Sequence, residues 1–104
     1  MMTSVDTDLI RVLADPLRLR IVTLLASETL CTTHLVAETG ARQTNLSNHL
    51  RVLREAGIVE TEPCGRYAYY KLRPDVIEVV AASFQELAAT ARATRATETK
   101  RPCA

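Results

Sequence analysis

The chain has 104 residues, 47% of them hydrophobic and 4% aromatic, with no tryptophan and a net charge of +1. That length fits one small domain with a modest core, which dimerisation would help to stabilise. No apolar run nears the ~20 residues of a membrane span, no basic and then apolar leader opens the chain, and three widely spaced cysteines make no disulfide framework. A cytoplasmic protein without a membrane segment is therefore expected, its thiols free, metal-bound or redox-active.

In chain order, a short helix is expected over residues about 5–14, capped by Ser4, with Val5, Leu9, Ile10 and Leu13 on its apolar side. Asp15-Pro16 starts a second helix, because Asp caps and Pro suits the first helical position. It runs through Leu17, Leu19, Ile21, Val22, Leu24 and Leu25 to about Ala26. Ser27–Leu30 reads as a break. Thr32 or Thr33 then caps a third helix, about 33–39, stopped by Gly40.

The fourth helix begins near Arg42 or Gln43 and has two chemically different sides. Leu46, Leu50 and Leu53 repeat at i, i+4, i+7 and share a face that can bury against a core. Thr44, Ser47, Asn48 and Arg51 fall on or near the opposite face. They are short polar side chains plus one guanidinium, the inventory that reads base edges and phosphates in a DNA major groove. Arg42 and Arg54 flank them as phosphate candidates. His49 lies at the edge of the apolar face and reads as a structural histidine. The third helix, a tight turn and the fourth helix make a helix-turn-helix.

After Gly57, residues 58–62 and 67–72 read as two strands joined by Pro63-Cys-Gly-Arg66, with Arg66 at the tip as the wing contact. Pro74 opens a long last helix, about 74–96, with Val76, Val80, Ser83, Phe84, Leu87 and Ala91 along one stripe. It is too long for one small core and is expected to pack on a partner helix. Residues 1–96 form the DNA-binding and dimerisation domain in this reading, and 97–104 a flexible tail carrying Cys103. The fold class is mostly α with a small β-hairpin, a winged helix-turn-helix of order α-α-α-α-β-β-α. Charge supports it: residues 42–73 hold six Lys/Arg against three acids, whereas 1–41 hold three against five. A phosphate footprint requires such a local basic excess.

With these residues in view, the chain resembles the ArsR/SmtB family of bacterial metal-responsive repressors. The stretches that carry the resemblance are Leu13-Ala-Asp-Pro-Leu-Arg-Leu-Arg-Ile21, Thr44-Asn-Leu-Ser-Asn-His-Leu50, Leu53-Arg-Glu-Ala-Gly-Ile-Val59 and Gly65-Arg-Tyr-Ala-Tyr-Tyr-Lys-Leu72. The resemblance implies a homodimeric repressor that binds a palindromic double-stranded operator and lets go when an inducer binds. Arg42 departs from the Ser or Thr that often caps the family's reading helix.

The resemblance also frames the inducer. The family's zinc and nickel sensors place His and acidic ligands on the last helix, and here that helix has no histidine. Sulfur remains: Cys31, Cys64 and Cys103, which suit thiophilic ions over hard cations. Leu30-Cys-Thr-Thr-His-Leu35 is similar to the family's Leu-Cys-Val-Cys-Asp-Leu box, with Cys31 matching the first cysteine, Thr33 replacing the second and His34 in place of the Asp. Arsenite or antimonite on three thiolates is the first expectation. Cadmium or lead, with His34 adding a nitrogen, is the alternative. A thiol redox or persulfide sensor and a plain dimeric DNA-binding module compete with these. An enzyme is not expected, since the sequence offers no nucleophile–base pair, phosphate loop or paired carboxylates.

Overall fold

A computed structural model describes residues 6–98 and 100–103. The elements are α1 (Thr7–Leu13), α2 (Pro16–Ser27), β1 (Leu30–Cys31), α3 (Thr32–Thr39), α4 (Gln43–Glu55), β2 (Val59–Cys64), β3 (Tyr67–Leu72) and α5 (Pro74–Thr97). The three strands form an antiparallel sheet of order β1-β3-β2. This is the expected winged helix-turn-helix with one strand more than the hairpin. Residues 27–30 are not merely a break: Leu30 pairs with Tyr70 and Cys31 with Tyr69. Two residues are too few to show an alternating pattern, so only the pairing reveals this strand.

Local chemistry moves several boundaries. Asp6 caps α1, its carboxylate accepting from the N–H groups of Asp8 and Leu9 at 3.0 and 3.1 Å. The expected cap Ser4 and apolar Val5 lie outside the described residues. Cys31, rather than Thr32 or Thr33, stands at the N-cap of α3. Pro63 and Cys64 belong to β2, leaving Gly65-Arg66 as a two-residue turn. Pro63 fits because β2 is an edge strand, where a missing N–H costs no ladder bond. Gly65 has φ +62°, the positive angle that a type II′ hairpin demands at its first turn position.

The core collects Ile21 and Leu25 from α2, Leu30 from β1, Leu35 from α3, Leu46, Leu50 and Leu53 from α4, and Ile58 and Val59 at the start of the wing. The leucine stripe predicted for α4 is buried as a unit. Each such side chain contributes roughly 1.5–3 kcal/mol relative to exposure. The end of α4 then fixes where the wing begins. The Ile58 N–H donates to Leu53 O and the Gly57 N–H to Arg54 O, each at 3.0 Å, forming a Schellman motif with Leu53 and Ile58 in its hydrophobic contact. The Arg73 N–H donates to Ile58 O at 2.8 Å and closes the base of the hairpin.

α5 leaves the core behind. Val76 and Ile77 in its first turns pack on the core, while Val79, Phe84 and Leu87 are exposed. The helix gives the chain a long axis of 63 Å against 24 and 21 Å across.

Gly57 has φ +76°, and a Cβ there would meet nothing closer than an Arg73 side-chain nitrogen at 4.0 Å. Gly57→Ala is therefore a pure backbone test. It should lower stability by about 1–2 kcal/mol, the cost of a left-handed alanine. Urea unfolding should report this as a lower midpoint with an unchanged slope.

Candidate nucleic-acid interface and thiol cleft

The burial of Leu46, Leu50 and Leu53 turns the other side of α4 outward. Thr44, Ser47, Asn48 and Arg51 are all exposed, as are Arg42 and Arg54. Arg42 stands at the N-cap without a side-chain cap bond, and its carbonyl accepts from the Leu46 N–H at 2.9 Å. The first-turn N–H groups of α4 therefore lack a side-chain cap and are left to water or an anion. Arg66 is exposed at the wing turn.

Arg42, Arg51, Arg54 and Arg66 make no ion pair among the described residues. Three other cations are neutralised: Arg11 by Asp8, Lys71 by Glu62 at 3.1 Å, and Arg73 by Asp75 at 3.0 Å. Around α4 and the wing tip four guanidiniums thus remain without carboxylates, as a phosphate-binding surface needs.

His49 takes the structural position expected at the edge of the leucine face. It is partly buried, and its Nδ1 accepts from the Arg18 guanidinium at 3.1 Å. Arg18 also donates through Nε to Val12 O at 2.6 Å, so one side chain ties α1, α2 and α4 together. The role of Arg18 is invisible in a sequence pattern because its partners lie 6 and 31 residues away. Asp15 completes the corner, its carboxylate accepting from the Arg18 N–H at 3.0 Å.

The cysteines are placed differently from one another. Cys31 is buried; Cys64 and Cys103 are exposed. Register puts Cys31 opposite Tyr69 and Cys64 opposite Tyr67, so all four side chains share one face of the sheet. Two strand spacings and two residues of offset still separate the Cys31 and Cys64 Cα atoms by roughly 12 Å. Among the described residues no three His, Cys, Asp or Glu side chains come together as a metal site. One chain therefore does not fit a three-thiolate ion through these residues alone.

Cys31 does have one close partner. His34 Nδ1 accepts from the Cys31 N–H at 3.2 Å and lies 3.4 Å from the Cys31 Sγ. This is a capping box with histidine in the position usually held by Glu or Gln. Tyr69 packs edge-on against His34 with ring centroids 5.9 Å apart. Cys31, Thr33, His34, Tyr67 and Tyr69 line a cleft of about 240 Å³. The two tyrosines read from sequence only as strand formers. Their i, i+2 spacing placed them on one face, but nothing in the sequence said that β1 and α3 would lie against it.

The model of the bacterial regulatory protein arsR family matches residues 15–61. The chain is 42% identical over 65 residues to the arsenic resistance transcriptional regulator ArsR1 of Pseudomonas putida, covering 62% of this chain and 51% of that one. It is 40% identical over 60 residues to the transcriptional repressor SmtB homolog of Synechocystis, covering 58% and 46%. The chain thus spans about half the length of these curated relatives. A crystal structure described as a possible transcriptional regulator for arsenical resistance superposes with TM-score 0.72 at 33% identity, covering 90% of this chain and 98% of that one. With the match to that structure nearly end to end, the chain has the winged-helix fold. It belongs to the arsR family.

The Asp15 carboxyl is held below the ordinary aspartate range, chiefly by the Arg18 N–H bond, with desolvation opposing and the neighbouring His49 and Arg18 charges adding. A depressed folded value means the cap's stabilisation is intact above the unfolded value and is lost as pH falls through the folded one. Asp15→Asn, which keeps a capping oxygen but cannot titrate, should retain most stability at neutral pH and show a shallower loss of Tm at strongly acidic pH.

Proposed function

We propose that this chain is a homodimeric repressor that binds a palindromic operator through α4 and the wing and is released by a thiophilic inducer, arsenite or antimonite first. The observation that carries the DNA reading is the outward polar face of α4 beside four arginines without carboxylate partners. In this reading Thr44, Ser47, Asn48 and Arg51 meet bases and phosphates, Arg42 and Arg54 flank them on the backbone, and Arg66 contacts the minor groove or backbone from the wing. Asn suits a bidentate pair with adenine, and Arg with guanine or phosphate.

The inducer reading rests on donor chemistry and on what similar proteins are called, an arsenic resistance regulator and an SmtB homolog among them. Arsenite takes three thiolates. Since one sheet face does not join three, the set would be Cys31 with Cys103 and Cys64, drawn from the tail and from both subunits. Capture would pull on Cys31, which caps α3 and pairs with the wing strand β3. Both elements bear on DNA, and two half-sites about 34 Å apart tolerate little rotation. The proximity of His34 Nδ1 to the Cys31 Sγ favours one second reading, cadmium or lead with a mixed nitrogen and sulfur set. The domain in this reading runs through α5, which ends at Thr97, with Cys103 beyond it, and the protein works in the cytoplasm.

Two measurements test this. Anisotropy of reduced protein on its own upstream DNA should show release by near-stoichiometric arsenite. Release only by cadmium or lead would favour the second reading, and release only by peroxide would replace both with a redox sensor. Arg51→Ala should weaken operator binding by about 1–3 kcal/mol, whereas Arg54→Ala should weaken all sequences alike and lower the salt slope by about one. An unchanged affinity in both variants would remove α4 from the interface.

A further inference from the structure

The reading helix has one polar tether. Among the described residues His49 is the only α4 side chain with a hydrogen-bond or charge partner. Its Nδ1 lies 3.1 Å from Arg18 Nη1 and 3.9 Å from the Asp15 carboxylate, both at the head of α2. Leu46, Leu50 and Leu53 bind α4 to the core, but apolar burial is non-directional. At about 100° per residue, His49 stands roughly 60° round the helix from Leu46 and is next to Asn48 in sequence. A bond on that flank fixes the roll of α4 that the leucine stripe leaves free.

The other end of the link is held as firmly. Arg18 Nε donates to Val12 O at 2.6 Å, and the Arg18 N–H donates to Asp15 at 3.0 Å. Val12 O is one of the C-terminal carbonyls of α1 that find no partner inside their own helix. One planar guanidinium thus caps α1 from one nitrogen and holds α4 from another, at a separation fixed by its covalent frame.

We propose that Arg18 is a positioning residue for operator discrimination: acting through His49, it sets the roll of α4 at which Asn48 and Arg51 meet base edges. Side chains leave the helix surface about 5 Å from its axis, so a roll of about 10° moves them by about 1 Å. Bidentate bonds to base edges do not survive such a shift, because recognition groups need placement to within about 0.5 Å. Phosphate contacts from the long, exposed Arg42 and Arg54 side chains follow it. Loss of the link therefore removes sequence preference and spares non-specific affinity, which phosphate charge supplies. This rests on the operator reading proposed above.

The test titrates the full chain, by anisotropy at one salt concentration, against its own upstream DNA and a scrambled duplex of equal length. Arg18→Lys keeps the charge but offers one nitrogen where arginine offers two. His49→Leu keeps bulk but no acceptor. Each should lower the ratio of operator to scrambled affinity at least about tenfold, with scrambled affinity within about twofold of the native value. The double variant should lose no more than about twofold beyond the worse single one, since both break the same bond. His49→Gln, which restores an acceptor, should recover most of what His49→Leu loses. A purely structural role would instead lower the folded fraction and weaken both duplexes in proportion. That outcome, an unchanged ratio in Arg18→Lys, or single losses that multiply in the double variant would each overturn the proposal. Without DNA, the His49 ring nitrogen and the Asn48 and Arg51 amide resonances should shift in Arg18→Lys, and their constancy would overturn it too. If the native chain shows no preference for its upstream DNA, the operator reading fails, while the resonances still decide whether Arg18 sets the pose of α4.

Discussion

The leucine stripe of α4 is the constraint on which the rest depends. Leu46, Leu50 and Leu53 are essentially inaccessible, packed with Ile21, Leu35 and Ile58. A helix can bury only one face, so committing these three commits Thr44, Ser47, Asn48 and Arg51 to the outside. The same burial delivers Leu53 to the Schellman contact with Ile58, which sets the departure angle of the wing. Truncating any of the three to alanine would leave a cavity beneath the reading surface, at about 2–5 kcal/mol, and disturb two functional elements through one core.

Around that core, neighbouring elements are held by short polar links rather than by more apolar area. Arg18 reaches the α1 carbonyl of Val12 and the α4 imidazole of His49 from a single guanidinium. Cys31 and His34 perform the corresponding service at α3, and β1 extends it to the wing. A chain of this size buries too little surface to lock five helices by packing alone.

α5 is the element the core does not complete. Val79, Phe84 and Leu87 remain exposed along a helix of 24 residues. Such a stripe accords with the homodimer proposed above, in which a second copy covers it. A monomer that kept these residues in water would carry an apolar surface that soluble chains normally cover.

How much of this could be read from residues alone follows from the range of the interactions. The amphipathic pattern of α4, the Asp-Pro start of α2, the glycine stops and the wing hairpin are local and periodic, so they were legible, and the exposed positions of Arg42, Thr44, Ser47, Asn48, Arg51, Arg54 and Arg66 followed from them. The strand β1 was not legible, because two residues carry no period and its partner lies about forty positions away. Nor was the Cys31–His34–Tyr69 grouping, since it needs β1 to pair with β3 before α3 can present its cap to the tyrosine ring. Sequence by itself determined the winged helix-turn-helix and the side of α4 that faces outward, because hydrophobic periodicity acts within a helix turn or two. Only the tertiary structure decided which thiol is buried, what touches it and which arginines remain without carboxylate partners, because those depend on contacts between segments far apart in the chain.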